Sequence, residues 1–155
     1  MRVTQVVAGA AAVITAALGL GLATAGPGAA TESGSWRAYG NTNPITSSTS
    51  TWHCASSRTV ATNVVAQVCA VRAPGGGAVQ AAVIVRNNRS SLYSVEAGMD
   101  LYTSSGTYQG DWLCQSSGVG ANSWSVCFGR TLPQSSPVNS AGFANSTSLG
   151  VSSLV

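Results

Sequence analysis

The chain has 155 residues, 45% of them hydrophobic and only 7% charged, with a formal net charge of +3. That length holds one modest core. The basic residues are all Arg and are scattered along the chain, which excludes the clustered Lys/Arg stripe of a nucleic-acid-binding surface.

Residues 1–25 read as a secretion signal. Arg2 is the only n-region charge, residues 6–22 form an apolar stretch of small residues, and Ala23-Thr24-Ala25 supplies the small–x–small pattern cut by signal peptidase. A second such pattern ends at Ala30. A retained membrane span is disfavoured, because the stretch is short and diluted by Gly9, Gly19 and Gly21. No Cys follows it to carry a lipid, and Leu132-Pro133-Gln134-Ser135 lacks the hydrophobic tail of a sortase signal. The absence of Lys and the bias toward Ala, Gly, Val, Ser and Thr suit a GC-rich genome. With the leader, they predict a secreted, extracellular protein of actinobacterial origin.

Residues 26–50 are mainly Gly, Ser, Thr, Asn and Pro and read as a flexible polar arm. Trp36-Arg37-Ala38-Tyr39 interrupts it, and aromatics with Arg are the residue types enriched at binding hot spots. Trp36, Arg37 and Tyr39 are therefore the candidate partner-binding residues. The competing reading folds the arm back and packs Trp36 on its own domain.

Residues 51–155 read as the β-domain. Four cysteines in a short secreted chain predict two disulfides, and a repeat selects the pairing. Trp52-His53-Cys54-Ala55-Ser56-Ser57 matches Trp112-Leu113-Cys114-Gln115-Ser116-Ser117 as Trp-x-Cys-x-Ser-Ser. Each copy continues through an Asn (Asn63, Asn122) to Val-Cys (Val68-Cys69, Val126-Cys127). If each copy is a strand pair, the bridges are Cys54–Cys69 and Cys114–Cys127, each between neighbouring strands at hairpin distance.

Strands are expected over 64–72 and 78–86, separated by the turn Pro74-Gly75-Gly76-Gly77. The clearest spans 92–103, where Tyr93, Val95, Ala97, Met99 and Leu101 alternate with Ser94, Glu96, Gly98 and Asp100. A turn at 104–110, strands over 111–115 and 123–130, and one last strand within 142–151 complete the pattern. Six or seven short strands predict an all-β fold, an antiparallel β-sandwich, immunoglobulin-like in outline. Two local disulfides depart from the true immunoglobulin arrangement.

Little here points to catalysis. His53, the only histidine, lacks a Cys-His metal spacing, and Leu113 fills its slot in the second copy of the repeat. No Gly-x-Ser-x-Gly elbow, Cys-x-x-Cys pair or Asp-x-Asp-x-Asp loop is present. Glu96 and Asp100 share a strand face but lie about 13 Å apart along it, beyond the span of a glycosidase pair; they read as a solvated face touching Arg86 or Arg72. Trp52, Trp112 and Trp124 read as core aromatics, with a sugar platform as the lesser reading. The expectation is a non-enzyme with no cofactor, no metal, no nucleic acid and no membrane association after signal cleavage.

The layout of a secretion signal, a polar arm with Trp36-Arg37-Ala38-Tyr39 and a compact two-disulfide β-domain resembles the small adaptor subunit of actinobacterial umbrella toxin particles. The resemblance covers the mature chain and rests on layout. It implies an adaptor bridging a large repeat-containing toxin polypeptide and a lectin subunit that carries a trypsin-like domain. It also implies that residues 31–48 enter a cleft of the lectin subunit, with Arg37 suited to a trypsin-like pocket, while the β-domain grips the toxin's repeats. A secreted protease inhibitor and a small carbohydrate-binding domain are the alternatives. The Gly-x-His-Pro signature of subtilisin inhibitors is absent between Cys54 and Cys69, and the disulfide loops are longer than those of enediyne-carrying apoproteins.

Overall fold

The computed structural model describes residues 30–155; the leader and residues 26–29 of the expected arm lie outside the described residues. Twelve strands follow in order: β1 (Glu32–Ser33), β2 (Ser35–Gly40), β3 (Thr51–Cys54), β4 (Arg58–Ala61), β5 (Val64–Arg72), β6 (Ala78–Asn87), β7 (Tyr93–Thr103), β8 (Tyr108–Val119), β9 (Ser123–Phe128), β10 (Leu132–Pro133), β11 (Val138–Ala144) and β12 (Thr147–Val151). One sheet runs β1-β8-β7-β11-β12 and the other β2-β9-β6-β5-β3. In the second sheet β4 continues the row of β3 along β5, and β10 continues the row of β9 along β6. Every pairing is antiparallel except β1 with β8. The expected antiparallel sandwich is therefore the fold, and both disulfides pair as the repeat predicted.

Period-two alternation builds the core. Val64, Ala66, Val68 and Ala70 of β5 and Val79, Ala81, Val83 and Val85 of β6 face Val95, Ala97, Met99 and Leu101 of β7 across the sandwich, with Trp112 and Leu149 filling the space between. Both copies of the repeat turn at an Asn in the left-handed region, Asn63 at φ 59° and Asn122 at φ 48°, a conformation Asn tolerates better than other residues with a Cβ. The copies then diverge. Cys54 and Cys69 stand directly opposite on β3 and β5 of one sheet, with Cα atoms 4.0 Å apart. β8 and β9 belong to different sheets, so Cys114–Cys127 crosses the sandwich with Cα atoms 6.0 Å apart. Hairpin neighbours were expected for both bridges; only the first is such a pair.

Residues 30–50 do not form a free arm. β1 pairs with β8 in one sheet, the chain steps across at Gly34, and β2 pairs with β9 in the other. A single segment thus closes one edge of both sheets. The step passes against the inter-sheet disulfide: a Cβ on Gly34 would lie 2.6 Å from the Cys114 Sγ and 3.2 Å from the Cys127 Sγ. β2 and β3 occupy opposite edges of the same sheet, so residues 41–50 must cross its outer face, about 19 Å at the usual strand spacing. Ten residues span that distance easily. Pro44 of this strap is buried, and Ile45 packs onto an apolar patch of Cys69, Val71, Ala82, Ile84 and Val126 walled by Tyr39, Trp52, Trp124 and Phe128. The polar composition of the arm hid this layer, because two apolar residues suffice where the sheet beneath supplies the rest. The last stretch likewise forms two strands, with β11 and β12 joined at Asn145 (φ 48°) where one was expected.

Candidate protein-binding faces

The fold sorts the charges. The four acids lie on strands of a single sheet: Glu32 on β1, Glu96 and Asp100 on β7, and Asp111 on β8. The four strand-borne arginines, Arg37, Arg58, Arg72 and Arg86, lie on strands of the other sheet.

On the acidic side, Asp100 and Asp111 are directly opposed across β7 and β8, which sets their Cβ atoms about 4.5–5.5 Å apart. Theirs is the close carboxylate pair; Glu96 and Asp100, the pair expected to share a strand face, lie four residues apart along β7. The Tyr102 hydroxyl donates to Asp100 Oδ2 at 3.4 Å, the Thr31 hydroxyl to Asp111 Oδ2 at 2.5 Å, and the Tyr108 hydroxyl to Asp111 Oδ1. Hydrogen bonds from Thr31 and then Tyr108 hold the Asp111 carboxyl below its ordinary range. Burial, followed by the charge of Asp111, raises that of Asp100. The bond to Asp111 pushes the Tyr108 hydroxyl up to about 12. Beside the pair the Phe143 ring lies across Gly98, where any Cβ would collide with it. Phe143 stays 37% exposed and borders a shallow trough of about 340 Å³ with Gly98, Asp100, Ala141 and Ser148.

On the other side, the Arg37 guanidinium stacks 5.0 Å from the Tyr39 ring centroid. The two rim a hollow of about 490 Å³ closed by Thr42, Pro44 and residues 47–49 of the strap. Trp36 turns the opposite way, packs against the core, and donates its indole N–H to the Gln115 carbonyl at 2.8 Å. Of the three expected partner-binding residues, the structure therefore brings Arg37 and Tyr39 together on the outer face and turns the half-buried Trp36 toward the core. β2 is an edge strand, paired on one side only among the described residues.

Neither Arg86 nor Arg72 meets the acidic strand face, as had been expected of them. Arg86 stacks 5.3 Å from the Trp124 centroid and donates to Asn88 Oδ1, Asn41 Oδ1 and the Asn122 carbonyl. Arg72 donates to four carbonyls, those of Gly76, Gln134, Ser136 and Val155. Trp112 is buried, with its indole N–H 3.2 Å from Glu32 Oε2, and Glu32 pairs with Arg130 at 3.1 Å on the surface. Trp52 packs edge-on to Phe128 with centroids 5.9 Å apart, and its buried N–H has no partner among the described residues. His53 is exposed, its ring nitrogen against the Leu154 carbonyl. Among the described residues no group of three or more His, Cys, Asp or Glu is placed to hold a metal ion, and no helix is long and apolar enough to cross a membrane.

Sequence reasoning missed the Asp100–Asp111 pair because a register shift between Leu101 and Tyr102 sets position 100 opposite 111, and the turn expected over 104–110 does not give that register. Phe143 left no signal, because its exposure depends on the glycine beneath it. No protein family, curated protein or solved structure matches the chain.

Proposed function

We propose that this protein is a secreted, non-catalytic adaptor that joins two larger extracellular proteins through chemically opposite faces. The observation that supports this is the segregation of acids and strand-borne arginines onto different sheets. A domain with so few charges needs no such sorting for solubility, whereas complementary potentials orient a partner and exclude wrong ones. The acidic face, with Asp100, Asp111 and the exposed Phe143 ring, suits a basic partner surface. The face carrying Arg37 and Tyr39, at the open edge of β2, suits an acidic one, and the unpaired backbone of that edge offers strand addition as well. The two disulfides fit an oxidising compartment. In a toxin particle of the kind its layout resembles, one face would take the toxin polypeptide and the other the lectin subunit. Docking would then rest on Arg37 and Tyr39 of a folded edge strand and not on a free arm.

Size-exclusion chromatography of the native secreted fraction tests this. The wild-type protein should elute in a high-molecular-weight complex with two partners. Arg37→Glu should release one of them, and the Asp100→Asn/Asp111→Asn double variant the other. Elution as a free monomer, or loss of the same partner by both variants, would refute the two-faced reading.

A further inference from the structure

We infer a third binding site, at the end of the sandwich where the Asn turns gather, one that takes the anionic group of a hydroxyl-rich ligand, a sugar bearing a carboxylate or a phosphate. The site is a concavity of about 650 Å³ between the β4–β5 turn and the β6–β7 loop, lined by residues 61–63 and 88–91. Its chemistry is uniform: Thr62, Asn63, Asn88, Ser90 and Ser91 offer hydroxyls and amides, and Arg89 supplies the charge. No acid lines it. Among the described residues the side chains of Thr62, Asn63, Ser90 and Ser91 make no hydrogen bond. The Arg89 guanidinium makes no ion pair among them and rests 5.6 Å from the Tyr93 ring centroid.

The loop that presents these groups is held unusually firmly. Asn87 is fully buried at its base. Its amide nitrogen donates to the carbonyls of Ser91, Val119 and Gly120 at 2.9, 3.0 and 3.1 Å, and its Oδ1 accepts from the Arg89 N–H at 2.9 Å. The Asn88 N–H donates to the Asn63 carbonyl at 2.8 Å, and the Asn122 N–H to the Arg89 carbonyl at 3.0 Å. Asn63 and Asn122 reach those positions in the left-handed region. Burying an amide is costly unless every hydrogen bond is met. Here the met bonds fix the backbone of a surface loop whose Ser90 and Ser91 hydroxyls stay unpaired among the described residues. Rigidity of that kind lowers the entropy lost on binding. A single guanidinium among hydroxyls and amides matches one anionic group on a polyhydroxylated scaffold, since Arg bonds carboxylate and phosphate oxygens in its fork geometry.

The site lies apart from the two charged faces and stands or falls independently of them. Titrating the ¹⁵N-labelled protein with trigalacturonate, mannose 6-phosphate, neutral maltotriose and an acetylated tri-glutamate amide tests it. The expected result is amide shifts confined to residues 61–63 and 88–91 with at least one anionic sugar; the tighter of the two identifies the anion. Arg89→Gln should weaken that binding about tenfold while leaving the rest of the spectrum in place, as expected for loss of a charge-assisted bond. Asn87→Ala should also weaken it with Arg89 still present. Absence of shifts with both anionic sugars, equal binding of maltotriose, equal or tighter binding of the peptide, or an Arg89→Gln protein that binds like wild type would each overturn the assignment.

Discussion

Replacing Gly34 by Ala puts a methyl group where the chain steps between the two sheets. Gly34 does not adopt a positive φ, so the cost is steric and not conformational. The added carbon would lie 2.6 Å from the Cys114 Sγ, 3.1 Å from the Phe128 carbonyl oxygen and 3.2 Å from the Cys127 Sγ. None of these atoms moves cheaply, since two belong to a buried disulfide and the third to a strand. Overpacking of a rigid site costs about 1–3 kcal/mol. The disulfide itself, with 13 residues of sequence separation, contributes about 3 kcal/mol in the chain-entropy account. The informative quantity is the coupling between the two. Once Cys114→Ala/Cys127→Ala removes the sulfurs, only the Phe128 carbonyl oxygen at 3.1 Å still crowds the added methyl, and Gly34→Ala should cost about 1 kcal/mol less in that background than in the intact protein. Guanidinium unfolding followed by tryptophan fluorescence measures all four corners of the cycle. An equal cost of Gly34→Ala with and without the disulfide, or no cost in the intact protein, would refute the reasoning.

Two further predictions concern the acidic face. In ultraviolet difference titrations one tyrosine should ionise near 12, and Asp111→Asn should return it toward the ordinary 10.0, because the bond to Asp111 is the leading cause of its rise. Asp100→Asn should stabilise the protein at neutral pH by about 0.2–1 kcal/mol by relieving a directly opposed like charge. The sign follows from the raised carboxyl of Asp100: its penalty is absent below the ordinary 3.8 and complete once pH has risen through the raised value, so the gain should vanish in acid. Asp111 behaves oppositely, its stabilisation being present above 3.8 and lost as pH falls through its depressed value. Thermal melts of both single variants at neutral and acid pH check the pair.

The sandwich was legible wherever one face of a strand is wet. The alternation around Tyr93–Thr103 and the bounds of Val64–Arg72 emerged because local polarity encodes them. The disulfides were legible through the repeat. Its second copy misled about geometry, because the turn at Asn122 carries the chain from one sheet to the other, and nothing local distinguishes that turn from the one at Asn63. Residues 32–40 looked unstructured because an edge strand needs few apolar side chains; Trp36 packs on the inner core and Tyr39 on the outer apolar patch. The charge sorting was invisible, since it emerges only when strands are assigned to sheets.

The sheet-closing segment also sets the order in which the molecule can be completed. It is synthesised first, yet its partners come about eighty positions later: Thr31 bonds Asp111 across 80 residues and Trp36 bonds Gln115 across 79. Such distant pairing is paid for in loop-closure entropy before any contact repays it, so it forms late and slowly. As the chain is synthesised, residues 32–40 emerge with nothing to pair against and wait while β5 to β9 assemble. Until they dock, the open edges of β8 and β9 are what a folding catalyst, a protease or a second nascent copy would meet.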